Sequence, residues 1–410
     1  MSSPDAEFTV GVTSSSVAAE GVASTADWSA WERDARAPSS ADGAGFGVDY
    51  RDDLRQFAEL GCTAWRVSIE WARIEPAPGK LDHDAIDRYL DILREARSHG
   101  IANWLTLQST SLPGWYLDDE GGHRDESART RFWLPHVDRM AETFDAVADG
   151  FIPLDDPIGW AVRGYGLGTR PPGRTDPRLV REAAEAAIWA VHDSVALLSS
   201  GRQSLMTTWR AEPIHALAES DGRPIPEAQA AARRWDDLWW SWLRGHAEGM
   251  ITLPDRAPIA VPRLVDGVDI VGLIHDHPIG VNHLGEFRPW PPTARRSAGL
   301  APEPEELSAA IHRTRDALPN HRLMVAAHGV ATDDEAWRDD LLARTLEQVD
   351  AARRDVGLAG YFHDCGVDGY NWSLGFTQPR GLLDRGRRRK PAAETFRNFA
   401  QRWSTPATEL

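Results

Sequence analysis

The regular alternation of short apolar runs with longer amphipathic stretches constrains the fold of this chain most strongly. Eight apolar runs have the length and composition of buried strands. The stretches between them, such as 83–99, 303–318 and 335–356, repeat apolar residues with the helical period. Alternating strands and helices are typical of α/β proteins with a parallel sheet, and eight such units predict a single (β/α)8 TIM barrel. The predicted strands are 8–15, 63–69, 102–108, 151–156, 203–209, 268–276, 322–328 and 359–364.

The chain is expected to form one domain over residues 1–410, ordered from about 6 to 403. Four segments rich in proline and glycine are interpreted as loops that follow strands rather than as linkers. In a barrel such loops gather at the carboxyl ends of the strands, where active sites lie. These segments are 37–47, 164–177, 221–226 and 278–302.

Charge and cysteine content narrow the choice of partner and compartment. With 45 basic and 62 acidic residues the formal net charge is −17, which would repel nucleic acid and anionic membranes. A cytoplasmic protein is expected for three reasons. The chain has only two cysteines, Cys62 and Cys365, residues 1–7 do not resemble a secretory signal, and no long apolar run is present. We therefore predict a small-molecule ligand, no nucleic-acid or membrane partner, and leave the oligomeric state open.

Several segments resemble glycoside hydrolase family 1, the β-glucosidase-like enzymes, in the same order along the chain. The run Trp65-Arg66-Val67-Ser68-Ile69-Glu70-Trp71 is similar to the family's second-strand motif, and Gly164-Tyr165-Gly166-Leu167-Gly168 to the one after the fourth strand. Tyr370-Asn371-Trp372 and Pro379-Arg380-Gly381-Leu382 resemble its closing motifs. The resemblance covers nearly the whole chain and implies the same barrel.

The resemblance also implies that the cleavage machinery has changed. Retaining hydrolysis needs two carboxylic groups about 5–5.5 Å apart. Asp156, in Pro153-Leu154-Asp155-Asp156-Pro157, stands at the acid/base position with a shorter side chain, and Asp155 replaces an asparagine. Ala327, in Val325-Ala326-Ala327-His328-Gly329, stands at the nucleophile position. A methyl group cannot attack, so the family mechanism is predicted to be absent.

The residues that hold the sugar in the family are replaced as well. Ala18 stands for a glutamine, the third-strand segment 106–113 lacks the family's histidine and tryptophan, and Asn371 replaces a glutamate. Rim tryptophans could instead form an apolar wall, which suits a flatter ligand than a sugar. The candidate substrate-binding residues are Arg66, Gln108, Trp115, Asp155, His328, Asn371 and Trp372.

Histidines and aspartates at the same strand ends are candidate acid–base groups, with Asp156, His275 and Asp364 the predicted catalytic residues. Neighbouring strand residues point to opposite sides, and His275 and Asp364 are expected to point inward. Arg66 would lose its partner with the nucleophile, so we expect it to pair with an acid such as Asp156 or Asp364. Binding of an anionic ligand group is the alternative. The spacing in 275–277 is too unspecific for a metal site, and we predict neither metal nor cofactor.

Three functions remain open from the sequence. The first is a repurposed enzyme that performs acid–base chemistry, such as cyclisation, elimination or addition, on a non-standard small molecule. The second is an altered, inverting β-glycosidase with Asp156 as general acid. The third is a binding protein without catalysis. The fold alone does not decide among the three.

Overall fold

The computed structural model describes residues 8–254, 256–297 and 301–403. Within them, eight parallel strands close into a barrel in which each strand pairs with its neighbours in sequence and the last pairs with the first. Two predictions, that residues 1–7 form no secretory signal and that the tail after Trp403 is frayed, concern segments outside the described residues. The barrel strands are β1 (Thr9–Ser14), β2 (Ala64–Ser68), β3 (Ala102–Gln108), β4 (Gly150–Leu154), β5 (Ser204–Arg210), β6 (Ile270–Ile274), β7 (Arg322–His328) and β8 (Gly360–His363).

The predicted barrel is confirmed, and each predicted strand overlaps an observed one. The bounds of β3 and β7 coincide with the predicted ranges. The predicted ranges around β4 and β6 ran on to Asp156 and Asp276, whereas the strands end at Leu154 and Ile274. The aspartates after these two strands therefore lie on loops, which frees their side chains from the strict alternation of a strand.

One long helix follows each barrel strand, and the three helices predicted from periodicity are among them. These helices cover the outside of the barrel, as expected for a parallel sheet. They are α1 (Phe46–Glu59), α2 (His83–Ser98), α3 (Leu134–Phe144), α4 (Pro177–Leu198), α5 (Pro226–Glu248), α6 (Pro304–Ala317), α7 (Glu335–Val356) and α8 (Pro391–Ala400).

Shorter elements decorate the loops. A small sheet of Ile214–Ala216, Ile279–Val281 and Phe287–Pro289 lies beyond β5 and β6. No helix in the described part of the chain is long and apolar enough to cross a membrane. The remaining short helices are Ser16–Glu20, Asp27–Arg33, Trp71–Ile74, Trp115–Asp119, Gly122–Arg124, Glu126–Ala128, Arg129–Trp133, Pro157–Ala161, Val162–Gly166 and Pro262–Asp266.

Two apolar layers show which strand residues point inward. Ile270 and Ile274 of β6 pack inside the barrel with Met206 and Phe362, whereas Val271 and Leu273 belong to the large layer between the barrel and its helices. Because side chains alternate along a strand, this pattern assigns every position of β6 to a side. A change of register in β7 between Val325 and His328 interrupts the alternation there.

Candidate active site

A cavity of about 570 Å³ opens at the carboxyl ends of the barrel strands. Its wall contains residues from every strand end, including Thr13, Arg66, Thr106, Asp155 and Asp364. Charged side chains are among the lining residues, and the small sheet contributes Ile279, Phe287 and Pro289. Its volume suits a small-molecule ligand, and its position is that of active sites in TIM barrels.

The residue after β4 has an unusual backbone that aims its carboxylate into the protein. Asp156 has φ +47, in the left-handed region, and its Oδ1 accepts the N–H of Gly159 at 3.0 Å as the cap of helix Pro157–Ala161. A Cβ on Gly159 would stand 2.0 Å from Oδ2 of Asp156. Glycine is therefore required there for the carboxylate to lie against the helix.

Arg210, the last residue of β5, connects three acids around the cavity. Its Nε donates to Oδ2 of Asp156 at 2.8 Å, and its Nη1 contacts Glu212 at 2.6 Å and Asp276 at 3.0 Å. We call these four residues the Arg210 network. Burial lowers the pKa of Arg210, but the three carboxylates overcome this and hold it well above its ordinary value. The guanidinium is therefore a fixed cation.

Arg66 has found an internal partner, as predicted, but it is neither of the two acids that were named. It forms an ion pair with Oδ1 of Asp155, and its Nη1 donates to the carbonyl oxygen of Ala326 at 2.9 Å. Oδ1 of Asp155 also accepts the hydroxyl of Thr208 at 2.9 Å. The carboxylate beside Arg66 thus comes from the first residue after β4, and it lines the cavity, as does Ala327.

Asp364 lines the cavity after β8, as predicted. Its Oδ1 accepts the hydroxyl of Thr13 at 2.7 Å, and its Oδ2 forms an ion pair with Arg380. Both oxygens are therefore engaged, and the side chain is 24% exposed. Asp364 fixes the guanidinium of Arg380 at the cavity wall.

Asp156, the predicted general acid, is paired with two arginines, which does not favour that role. Burial raises the pKa of Asp156, but Arg163 and Arg210, both 2.8 Å from Oδ2, more than offset this and lower it overall. A general acid needs a raised pKa to carry a proton at neutral pH. Asp156 is instead an ionised anchor for two arginines.

The predicted inward orientation of His275 is wrong. His275 follows the outward-facing Val271 and Leu273 at spacings of two, is fully buried, and has no polar partner on either ring nitrogen. Burial holds its pKa well below the ordinary value, so the ring is neutral. The next residue, Asp276, faces the cavity instead.

His328 lies outside the cavity, contrary to its assignment as a ligand-binding residue. Its Nδ1 contacts the carbonyl oxygen of His275 at 2.6 Å and its Nε2 the hydroxyl of Thr345 on α7 at 3.2 Å. The register change in β7 brings both Ala326 and Ala327 to the inner layer. That extra inward residue turns His328 toward the helices.

Of the four remaining predicted binding residues, two line the cavity and two do not. Asn371 and Trp372 line the cavity. Gln108 is 2% exposed and contacts His123 away from the cavity wall. Trp115 donates its Nε1 hydrogen to the carbonyl oxygen of Glu75 at 3.1 Å and packs in the rim, so its predicted contact with the ligand is wrong.

Five arginines that line the cavity were not among the predicted site residues. They are Arg163, Arg170, Arg210, Arg288 and Arg380. Their signal was position, since each lies at a strand end or in a loop after a strand. His277 was considered only as part of a metal motif. It lines the cavity, with its Nδ1 2.9 Å from the carbonyl oxygen of Pro278.

No group of three or more histidine, cysteine, aspartate or glutamate side chains is arranged to hold a metal ion in the part of the chain that the structure describes. The carboxylates of the cavity face guanidinium groups instead. The cavity wall thus holds paired guanidinium and carboxylate groups together with apolar side chains.

Comparisons with known proteins agree with the barrel and extend the resemblance noted in the sequence. Residues 5–224 match the profile of glycosyl hydrolase family 1. A bifunctional β-D-glucosidase/β-D-fucosidase of Bifidobacterium breve is 23% identical over 402 residues, covering 85% of this chain and 86% of that protein. A furostanol glycoside 26-O-β-glucosidase of Hellenia speciosa is 22% identical, covering 85% of this chain and 73% of its own.

Solved structures show the same fold. A β-glucosidase from Exiguobacterium marinum superposes with a TM-score of 0.86 at 20% identity, over 97% of this chain and 99% of that one. A β-glycosidase from Pyrococcus horikoshii gives 0.83 at 22% identity, over 98% of both chains.

Proposed function

Since this chain belongs to glycosyl hydrolase family 1, we propose that it is a member without the retaining nucleophile, repurposed for proton-transfer chemistry on a small molecule. The supporting observation is the state of the cavity's carboxylates, which are paired with arginines. Ionised carboxylates accept protons and cannot donate them. Such a site favours reactions that begin with removal of a proton, with arginines stabilising the negative charge that develops.

The absence of retaining hydrolysis follows from Ala327. Its methyl group lines the cavity, at the position that the motif resemblance gives to the nucleophile. Arg66, which contacts the adjacent carbonyl, is already neutralised by Asp155. The site therefore supplies neither an attacking group nor a proton donor at Asp156.

Asp155 is the best candidate for the base. The contacts from Arg66 and Thr208 both fall on its Oδ1, and 22% of the side chain is exposed. Asp364 has both oxygens engaged, so we assign it the positioning of Arg380. His277 is the second cavity group that could accept a proton, through Nε2, when its Nδ1 hydrogen is held by Pro278.

Two substrates test the proposal from opposite sides. With 2,4-dinitrophenyl β-D-glucoside, whose leaving group needs no protonation, we expect no release of phenol, with or without added azide. Azide replaces a missing nucleophile when the sugar subsite is intact, so rescue would show that only the nucleophile had been lost. Release without azide would contradict the proposal.

The base is tested with 5-nitrobenzisoxazole. Removal of its C3 proton by a carboxylate breaks the N–O bond, and the electron pair leaves on the oxygen of a coloured cyanophenolate. We expect turnover by the wild type, a loss on the order of 100-fold in Asp155→Asn, and no change in the exposed control Asp221→Asn. Asp155→Glu, which keeps the carboxylate, checks that a loss reflects the base rather than folding.

A ligand-binding barrel without catalysis is the second candidate. The full pairing of Asp156, Asp276 and Asp364 favours it, because paired ions hold a shape without needing to react. No turnover of 5-nitrobenzisoxazole by either the wild type or Asp155→Asn would decide for this candidate.

A further inference from the structure

Arg170 differs from the other arginines around the cavity. It lies in the loop between β4 and α4, and its side chain forms part of the cavity wall. The other five, Arg66, Arg163, Arg210, Arg288 and Arg380, each contact a carboxylate within ion-pair distance. Within residues 8–254, 256–297 and 301–403, no acid stands at that distance from Arg170. This cation is therefore the uncompensated charge of the wall.

Two indole rings hold the guanidinium of Arg170 in a corner. Its Cζ is 5.1 Å from the ring centre of Trp28 and 4.9 Å from that of Trp372. The two indoles meet edge to face, with centres 4.8 Å apart and planes at 88°. Cation–π contact of this kind orients a guanidinium but does not neutralise its charge.

Two of the three nitrogens of the Arg170 guanidinium have no hydrogen-bond partner among the described residues. They are Nε and Nη1, and both are buried. Burial, reinforced by the charges of Arg163 and Arg210, holds the pKa of Arg170 well below its ordinary range. An unpaired buried cation costs stability, so its presence points to a role that an empty cavity does not fulfil.

The neighbouring replacement of a glutamate has the same consequence. Asn371 lines the cavity next to Trp372, at the position where the family motif has an acid. Its Oδ1 accepts the backbone N–H groups of Ser373 and Leu374 at 3.0 and 3.1 Å. This side of the cavity therefore lacks the negative charge that the family motif would place there.

We infer that Arg170 binds the carboxylate of an aromatic or polycyclic carboxylic acid in the barrel cavity. A guanidinium donates two parallel hydrogen bonds to a planar carboxylate. The apolar body of such a ligand would lie against Trp372, with Trp160 and Trp239 farther along the wall. The inference rests on the proposed function in one respect, namely that the cavity accepts a small molecule.

Isothermal titration with 1-naphthoate and its neutral isostere 1-naphthamide tests the inference. We expect the wild type to bind naphthoate at least about tenfold more tightly than the amide, as a charge-assisted pair requires. In Arg170→Gln this preference should disappear. Arg36→Gln is the matched control, because Arg36 lies over Trp31 in the same aromatic cluster, 3.5 Å from its ring centre, but outside the cavity wall.

Stability supplies a second measurement that a structural role would not reproduce. Without ligand, Arg170→Gln should melt at a higher temperature than the wild type, because it removes an unpaired cation. With saturating naphthoate the difference in melting temperature should shrink or change sign, since only the wild type is stabilised by the bound anion. Equal binding of acid and amide by the wild type, unchanged preference in Arg170→Gln, or a lower melting temperature of the free variant would overturn the inference.

The two proposals fail in different ways. Naphthoate binding without turnover of 5-nitrobenzisoxazole would support the carboxylate site at Arg170 and contradict the assignment of Asp155 as a base. Turnover that depends on Asp155, with no preference for the anion, would do the opposite.

Discussion

Replacing Arg210 by methionine tests the charge network of the cavity directly. The change keeps most of the apolar side-chain volume but removes the cation that contacts Asp156, Glu212 and Asp276. Arg163 remains beside Asp156, and Arg380 still acts on Asp276. The variant therefore isolates the contribution of one guanidinium among three carboxylates.

The expected cost follows from burial. The side chain of Arg210 is 15% exposed, and those of its partners are 4%, 5% and 20% exposed. Removing one partner of a buried pair costs about 3–5 kcal/mol, because it leaves an uncompensated charge. With an unfolding entropy of about 2 cal/mol/K per residue, the 410 residues imply a fall in Tm of about 4–6 °C.

The loss should depend on pH. In the wild type, burial raises the pKa values of Asp156 and Asp276, but the arginines lower them overall. Their stabilisation is present above the unfolded pKa near 4 and is lost as pH falls through the folded values. In Arg210→Met burial dominates, so protonation relieves the penalty at low pH. The difference in Tm should be largest at pH 8 and smaller at pH 4.5.

Differential scanning calorimetry at both pH values measures the effect. Arg202→Met is the control, since Arg202 also contacts a carboxylate, that of Asp145, but is 68% exposed, and we expect its Tm to remain within error of the wild type. A loss in Arg210→Met as small as the control's, or an equal loss at pH 4.5 and pH 8, would refute the assignment of Arg210 as the cation that keeps these acids ionised.

Three further changes test other parts of the structure. Gly159→Ala should cost about 1–3 kcal/mol of unfolding free energy, measured by chemical denaturation, because it forces the Asp156 carboxylate from its helix. Gly245→Ala is the control and should be neutral or stabilising, since its added Cβ meets Leu264 at 3.4 Å. Similar losses in both variants would contradict the steric argument. Burial raises the pKa of Asp27 to about 8, so its contribution to stability declines as pH rises from about 4 to 8. Asp27→Asn should therefore stabilise by on the order of 3 kcal/mol at pH 8 and by less at pH 5, and a flat pH profile in thermal melts would argue against it. His275→Leu should be neutral or stabilising, because both ring nitrogens are buried without partners, and it should leave turnover of 5-nitrobenzisoxazole unchanged; a loss of turnover would return His275 to the active site.

The barrel was predictable because its signal is repeated eight times. Each strand is an apolar run bounded by polar residues, and each helix carries an apolar face, so an error at one boundary leaves the architecture unchanged. The ends of β4 and β6 were predicted too long because Asp155 and Asp276 continue otherwise strand-like segments. The fold is therefore encoded with redundancy that the site does not have.

The site depends on single positions. Motif similarity put Asp155, Asp156, Asn371 and Ala327 at the cavity wall, where the structure has them. Alternation along β6 places His275 on the side of Val271 and Leu273, and the expectation that it points inward did not follow from that pattern. The orientation of His328 was not readable, because it depends on the register change in β7, which leaves no mark in the pattern of apolar residues.

The arginine pairs had no sequence signal of their own. Arg66 and Asp155 come from β2 and the end of β4, and Arg210 meets acids that follow three different strands. Such partners meet only through the closure of the barrel. Which acid faces which arginine was for this reason beyond reach before the structure was known.

The Arg210 network also limits how the sequence can evolve. Because one guanidinium contacts carboxylates that follow β4, β5 and β6, the effect of substituting any of the four residues depends on the other three. A protonated acid at position 156 would require loss of the neighbouring cations, and each loss alone exposes an unpaired charge. The four positions are therefore expected to tolerate coordinated substitution better than single changes.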